Sequence, residues 1–176
     1  MDSIATELGI SKRTLYEIFK DKDDLVFQAV KEGLKRHKLV CQATISKSSN
    51  VVEAIFSILK LNSETFGKLN PLFIQDLKKY HSKIFSELAE KGEIRDYKIT
   101  SKLIRRGVSE EIIRSDINIE IVNAFFHKIM DIFHSEEMSG FLKREMAESI
   151  LLPYLTGIST EKGRSLIEEY MRNFNM

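Results

Sequence analysis

The sequence predicts an all-α protein: a short helix-turn-helix head followed by a larger helical bundle. Three observations carry that prediction. Apolar residues recur at helical spacing along nearly the whole chain. Only 2 Pro and 8 Gly interrupt 176 residues, so helix breakers are scarce. No segment alternates apolar and polar residues as a half-buried strand does, and there is no internal repeat or low-complexity stretch.

Each element has a local reason. Two short helices, Asp2–Leu8 and Lys12–Phe19, flank Gly9-Ile10-Ser11. Gly9 suits a left-handed helix C-cap, and the Ser11 hydroxyl suits an N-cap that accepts from a first-turn N–H. A long helix, Lys22 to Thr44, follows, with Asp23 and Asp24 in the first turn, where negative charge complements the helix dipole. Val26, Ala29, Val30, Gly33, Leu34 and His37 share one of its faces. The polar stretch at 46–50 separates it from Val51–Phe66. Gly67 to Pro71 makes a second break, because proline fits a first helical turn. Pro71–Tyr80 reads as a short helix and Ser82 to Glu111 as a long one. Residues 111–118 connect to Ile119–Ser135, which is apolar on almost every side and must be covered all round. After Ser139-Gly140 come Phe141–Thr156, with Pro153 near its end, and Thr160–Phe174, with Ser159 or Thr160 as N-cap.

Composition excludes several function classes. Lys+Arg is 27 against Asp+Glu 26, a net charge of +1, so the chain is neither a wholly basic nucleic-acid coat nor an acidic tail. At 43% hydrophobic and 30% charged it suits a folded domain with a real core and is too apolar for intrinsic disorder. One cysteine, Cys41, gives neither an internal disulfide nor a cysteine-based zinc site. No stretch approaches the roughly 18 uninterrupted apolar residues of a membrane span, and the first residues lack the pattern of a secretory signal. The cytoplasm is the expected location.

The first 25 residues carry the specific signal. Ile4-Ala5-Thr6-Glu7-Leu8-Gly9-Ile10-Ser11, then Lys12-Arg13-Thr14-Leu15-Tyr16-Glu17-Ile18-Phe19, then Lys22-Asp23-Asp24-Leu25 closely resemble the DNA-binding head of the TetR (AcrR-like) family of transcriptional regulators. Gly157 to Gly163, followed by an apolar helix, is similar to the C-terminus of many such proteins. The resemblance implies a homodimeric regulator, in most cases a ligand-responsive repressor, that binds a double-stranded DNA operator and an unknown small-molecule inducer and needs no cofactor. It divides the chain into residues 1–45, head and connecting helix, and residues 46–176, the ligand-binding and dimerisation body. The residue pattern agrees with it. Ile4, Ala5, Leu8 and Ile10 give the first helix and turn an apolar side, and Leu15, Ile18 and Phe19 do so for the second. The opposite side of the second helix carries Lys12, Arg13, Thr14 and Tyr16, and such a helix can enter a major groove. By the resemblance, Ser11, Lys12, Arg13 and Thr14 lie near bases or phosphates, and Tyr16 and Lys22 hold phosphates.

Family members carry another helix before the Ile-Ala motif, and this chain begins at Met1, inside or just before the second of those helices. Ile4, Leu8, Leu15, Ile18 and Phe19 are therefore expected to lose partner surface, at roughly 1.5–3 kcal/mol for each fully buried side chain. The head should be loosened, and DNA binding weakened. In the body, Phe56, Phe66, Phe73, Phe85, Phe125 and Phe126 are candidate pocket residues, although core packing explains each of them singly. The apolar helices at 119–135 and 141–156 are the expected dimer interface, with Ile129, Phe133, Leu151 and Leu155 as its residues.

Other chemistry is weaker. His127, Asp131 and His134 fall on one helix face, as metal ligands do, but in so apolar a helix polar edge positions or dimer contacts are the better reading, and no metal is expected. No nucleophile elbow, glycine-rich phosphate loop or His-Glu-x-x-His spacing supports an enzyme. The basic run Lys35-Arg36-His37-Lys38 reads as a solvated face. The rival to a DNA-reading regulator is a truncated helical dimer that binds a small molecule or a protein partner without reading DNA.

Overall fold

The computed structural model describes residues 1–66, 73–94, 96–133, 135, 137–138 and 140–173. All regular structure among them is helical, and the sole extended pairing is an isolated bridge between Ile113 and Ser159. The helices are α1 (Asp2–Leu8), α2 (Lys12–Ile18), α3 (Lys22–Lys47), α4 (Val51–Phe66), α5 (Phe73–Tyr80), α6 (Ser82–Glu90), α7 (Tyr97–Ser109), α8 (Ile119–Phe133), α9 (Lys143–Met146), α10 (Leu152–Gly157) and α11 (Glu161–Asn173). They form two compact units, Met1–Leu39 with Asn70–Ile94, and Val40–Leu69 with Arg95–Met176. The division at residue 45 follows chain order. The compact units do not, because α5 and α6 group with the N-terminal segment.

The first unit has a small core. Leu77, Ile84 and Leu88 of α5 and α6 are buried, and Val26, Phe27, Val30 and Leu34 of α3 pack against them. The α3 positions 26, 30 and 34 recur every four residues, which is one helical face. Ala29 and Gly33, expected on that face, are exposed, and α3 has no fully buried residue. His81 interrupts α5 and α6, and its Nδ1 lies 2.8 Å from Asp23 Oδ1 in the first turn of α3.

The second unit is densely packed. Val51, Val52, Ala54 and Phe56 of α4 meet Leu103 and Ile104 of α7, Ile129 of α8, Leu151, Leu155 of α10 and Ile167 of α11. Half-buried Arg106 donates to the Ile45 and Ser48 carbonyls at 3.0 and 2.7 Å, satisfying acceptors at and just beyond the end of α3 that lack a helical partner. Its guanidinium also pairs with Glu110 at 2.6 Å, and Glu110 accepts the Val51 N–H at 2.7 Å, which fixes the start of α4. The connection after α7 turns at Glu111 (φ 58°) and is clasped by the loop before α11. Thr160 N–H donates to the Ile112 carbonyl at 2.9 Å, and the Thr160 hydroxyl donates to the Glu111 carbonyl at 2.7 Å. Gly163 belongs to this clasp, since a Cβ there would collide with the Ile112 carbonyl oxygen.

Two expected helices are reshaped. The long helix Ser82 to Glu111 is instead α6 and α7. Gly92 (φ 68°) supports the turn after α6, and Asp96 starts α7 by accepting the Lys98 and Ile99 N–H groups at 3.1 and 3.0 Å. The helix expected over Phe141–Thr156 begins at Lys143 and passes through a π-helical turn, Ala147–Leu151, before α10. Pro153 cannot donate a backbone hydrogen bond, and the wider turn lies immediately before the proline's segment. Residues 67–72 and Phe174 lie outside the described residues, so the break at Gly67–Pro71 and the last apolar position of α11 do too.

Candidate nucleic-acid interface

The turn between α1 and α2 is built from its sequence. Gly9 adopts φ 65°, ψ 26°, and its N–H and that of Ile10 return to the Thr6 and Ala5 carbonyls at 3.1 and 3.0 Å. The left-handed conformation costs glycine least. Ser11, in extended backbone, accepts the Thr14 N–H at 3.0 Å and starts α2. Asp21 does the same for α3, accepting the Asp24 N–H at 2.8 Å.

Inside this arrangement Ala5 and Leu15 are buried. Outside it, Lys12, Arg13 and Tyr16 are exposed on α2, Thr14 is half-buried beside Ser11, and Lys22 is exposed at the start of α3. Their charge is partly engaged within the head. Lys12 Nζ lies 2.9 Å from Asp2, and Arg13 Nε lies 3.0 Å from Glu17. The hydrogen bond between them lowers the Asp2 carboxyl below the ordinary aspartate value and raises the Lys12 ammonium. Both pairs are solvent-exposed, where water screens an ion pair and it yields readily to a phosphate. Backbone contacts of this kind set register on a duplex, and base contacts set sequence preference.

The opposite side of the head is open. Ile4, Leu8, Leu15, Phe19, Leu25 and Ala29 line a groove of about 440 Å³. Leu8 is 61% and Ile18 63% exposed, so neither finds the cover that its apolar character calls for.

The candidate ligand and dimer residues are distributed differently from expectation. Phe56 is buried in the second unit's core and stacks on Tyr170 with ring centroids 5.8 Å apart. Phe73 and Phe85 belong to the first unit, where Lys78 Nζ lies 5.3 Å from the Phe85 ring. Phe125 is exposed and Phe126 half-buried, and both meet Tyr154. The Phe66 side chain lies outside the described residues. Within the second unit, the void beside Val51 and Ile113 holds about 10 Å³, room for one water and not for a metabolite. Ile129, Leu151 and Leu155 are 2%, 0% and 5% exposed, and half-buried Phe133 packs on the same core. They belong to the interior of their own chain and are not open to a second copy. Ile121, Phe125 and Ile132 of α8 are exposed on one stripe, and Phe141 and Leu142 precede α9.

Sequence reasoning missed a buried polar group between α7 and α8. Asn123 and His127 are both 6% exposed. Asn123 Nδ2 donates to the Tyr97 carbonyl at 2.9 Å, the Thr100 hydroxyl donates to Asn123 Oδ1 and lies 2.9 Å from His127 Nε2, and the Tyr97 and His127 rings are 3.9 Å apart. The four-residue spacing of Asn123 and His127 was the available signal. His127 is thus an interior residue and not a polar edge position. His134 lies outside the described residues, and no group of three or more His, Cys, Asp or Glu among the described residues is placed to hold a metal. Burial pushes the Tyr154 hydroxyl up to about 12, and it donates to the Val122 carbonyl at 2.7 Å. No helix among the described residues is long and apolar enough to cross a membrane.

No family model matches the chain. It is 27% identical over 166 residues, 92% of this chain and 86% of the relative, to the uncharacterized HTH-type transcriptional regulator YvaF of Bacillus subtilis (strain 168). The ketosteroid transcriptional regulator KstR2 of Mycobacterium tuberculosis has a similar structure, with a TM-score of 0.62 and 19% identity, covering 90% of this chain and 83% of that one. The chain is thus similar over most of its length to an HTH-type transcriptional regulator, and its all-helical fold is shared with the KstR2 structure.

Proposed function

We propose that the protein is a DNA-binding transcriptional regulator of the TetR type, acting in the cytoplasm as a homodimeric, ligand-responsive repressor. The observation that carries the reading is the Gly9–Ser11 turn, which delivers a Ser11-capped α2 with Lys12, Arg13 and Tyr16 outward and Leu15 inward. Lys12, Arg13 and Thr14 are assigned to base edges and phosphates, and Tyr16 and Lys22 to phosphates. The names of the two similar proteins, both transcriptional regulators, support the regulator reading.

The exposed stripe of Ile121, Phe125 and Ile132 supports dimerisation, because a monomer gains nothing by leaving three large apolar side chains in one row in water. A two-fold dimer presents two copies of α2 to half-sites about 34–36 Å apart or a multiple of that. An inducer would act by binding the DNA-incompetent arrangement of the heads more tightly than the competent one.

The open groove across α1, α2 and α3 leaves the head thinly supported, so its grip on DNA is expected to be modest. The test is a salt titration of this chain on the duplex flanking its own gene, beside an Arg13→Gln/Tyr16→Phe variant. Tighter, more steeply salt-dependent binding by the parent is expected. If neither version binds, the rival reading stands: a helical dimer for a small molecule or a partner.

A further inference from the structure

The corner between α5 and α6 carries a concentrated positive charge that the helix-turn-helix does not account for. Residues 77–86, Leu-Lys-Lys-Tyr-His-Ser-Lys-Ile-Phe-Ser, contain three lysines and no acidic residue in a chain whose net charge is only +1. Lys78, Lys79, Tyr80 and Lys83 are all exposed, Tyr80 at 66%. Among the described residues no carboxylate pairs with these lysines. Instead Lys78 Nζ sits 5.3 Å from the Phe85 ring and Lys79 Nζ 5.2 Å from the Tyr80 ring, contacts that orient an ammonium and leave its charge intact. The cations of α2 differ, since Lys12 and Arg13 are each paired with a carboxylate.

The corner also has a fixed place in its unit. His81, adjacent to Tyr80, holds Asp23 at 2.8 Å, and Asp23 is adjacent to Lys22, the residue assigned to a phosphate at the start of α3. The positive corner and the α3 start therefore lie side by side on one compact unit, both with exposed lysines. The DNA backbone is the one extended polyanion the proposed function brings to that place.

We propose that Lys79, Tyr80 and Lys83 form a second phosphate-contacting surface, which extends the DNA footprint from α2 and the start of α3 onto the α5–α6 corner. This rests on the DNA-binding reading above. The surface contributes affinity and salt dependence without sequence preference, because its ammonium and phenol groups are assigned to phosphates, which carry no sequence information.

The test is fluorescence anisotropy of the full chain on a 30-base-pair duplex of arbitrary sequence across a salt series. The variants are Lys79→Gln/Lys83→Gln, Lys22→Gln and, as a control of equal charge change on the other unit, Lys98→Gln/Lys102→Gln. Loss of two phosphate contacts lowers the log–log salt slope by about 2, so the affinity ratio of parent to corner variant shrinks about tenfold between about 50 and about 200 mM salt. The control should keep the parent slope. An unchanged slope in the corner variant, with a reduced slope for Lys22→Gln, overturns this inference and leaves the DNA-binding reading intact. An equal slope loss in the control also overturns it, because the effect is then one of net charge. If the parent binds no duplex at any salt concentration, the DNA-binding reading fails and this inference fails with it.

Discussion

The two units differ in how large a core their apolar side chains build. In the second unit the large apolar residues of α4, α7, α8, α10 and α11 converge on one core, with Val51, Ala54 and Leu151 wholly excluded from solvent. In the first unit Leu8, Ile10 and Ile18 remain exposed, α3 buries nothing completely, and the α1–α2 pair rests on Ala5 and Leu15. On the proposed function the difference has a physical reason. A helix that reads DNA must offer one face to its partner and has only the other for cohesion, whereas a bundle that holds helices in register can bury every inward position. Local stability should follow, with opening free energy lowest in α1 and α2 and highest in the second unit.

Three substitutions test that contrast. Leu151→Ala empties a fully buried position at the π-helical turn and should cost about 3–4 kcal/mol of global stability, measured as a shift of the urea midpoint at unchanged slope. A cost below about 1 kcal/mol would mean that the core is loosely packed and the contrast overstated. Gly163→Ala drives a methyl group into the Ile112 carbonyl and should cost about 2 kcal/mol through the clasp of the α7–α8 connection against α11. Rescue by a second change at Ser159, whose Cβ also faces that position, would locate the strain there. Ser11→Ala removes the cap of α2 and should cost about 1 kcal/mol, confined to the head. Hydrogen exchange should quicken in α1 and α2 and stay unchanged in α8. Equal quickening in both would show that the units unfold as one.

The head was legible in the sequence because its signals are local. Gly9 and Ser11 each act within three or four residues, and the observed α1 and the start of α2 fall where those residues place them. The second unit was legible as helices but not as a site. Periodicity marks Ile129, Leu151 and Leu155 as apolar positions on their helices and says nothing about whether the surface they meet belongs to the same chain. The six phenylalanines share a residue type and not a location, since Phe73 and Phe85 lie in one unit and Phe56, Phe125 and Phe126 in the other.

The sequence alone determined the all-helical class, the helix-turn-helix and the outward face of α2, because hydrophobic period, caps and breakers are encoded within a few residues of where they act. Tertiary structure decided which apolar face is core and which is left open, the grouping of α5 and α6 with the head, and the buried meeting of Thr100, Asn123 and His127. Those depend on pairings between residues twenty to sixty positions apart, as in Asn123 with Thr100 and His81 with Asp23. Such pairings are fixed by packing, and one chain's local pattern does not contain them.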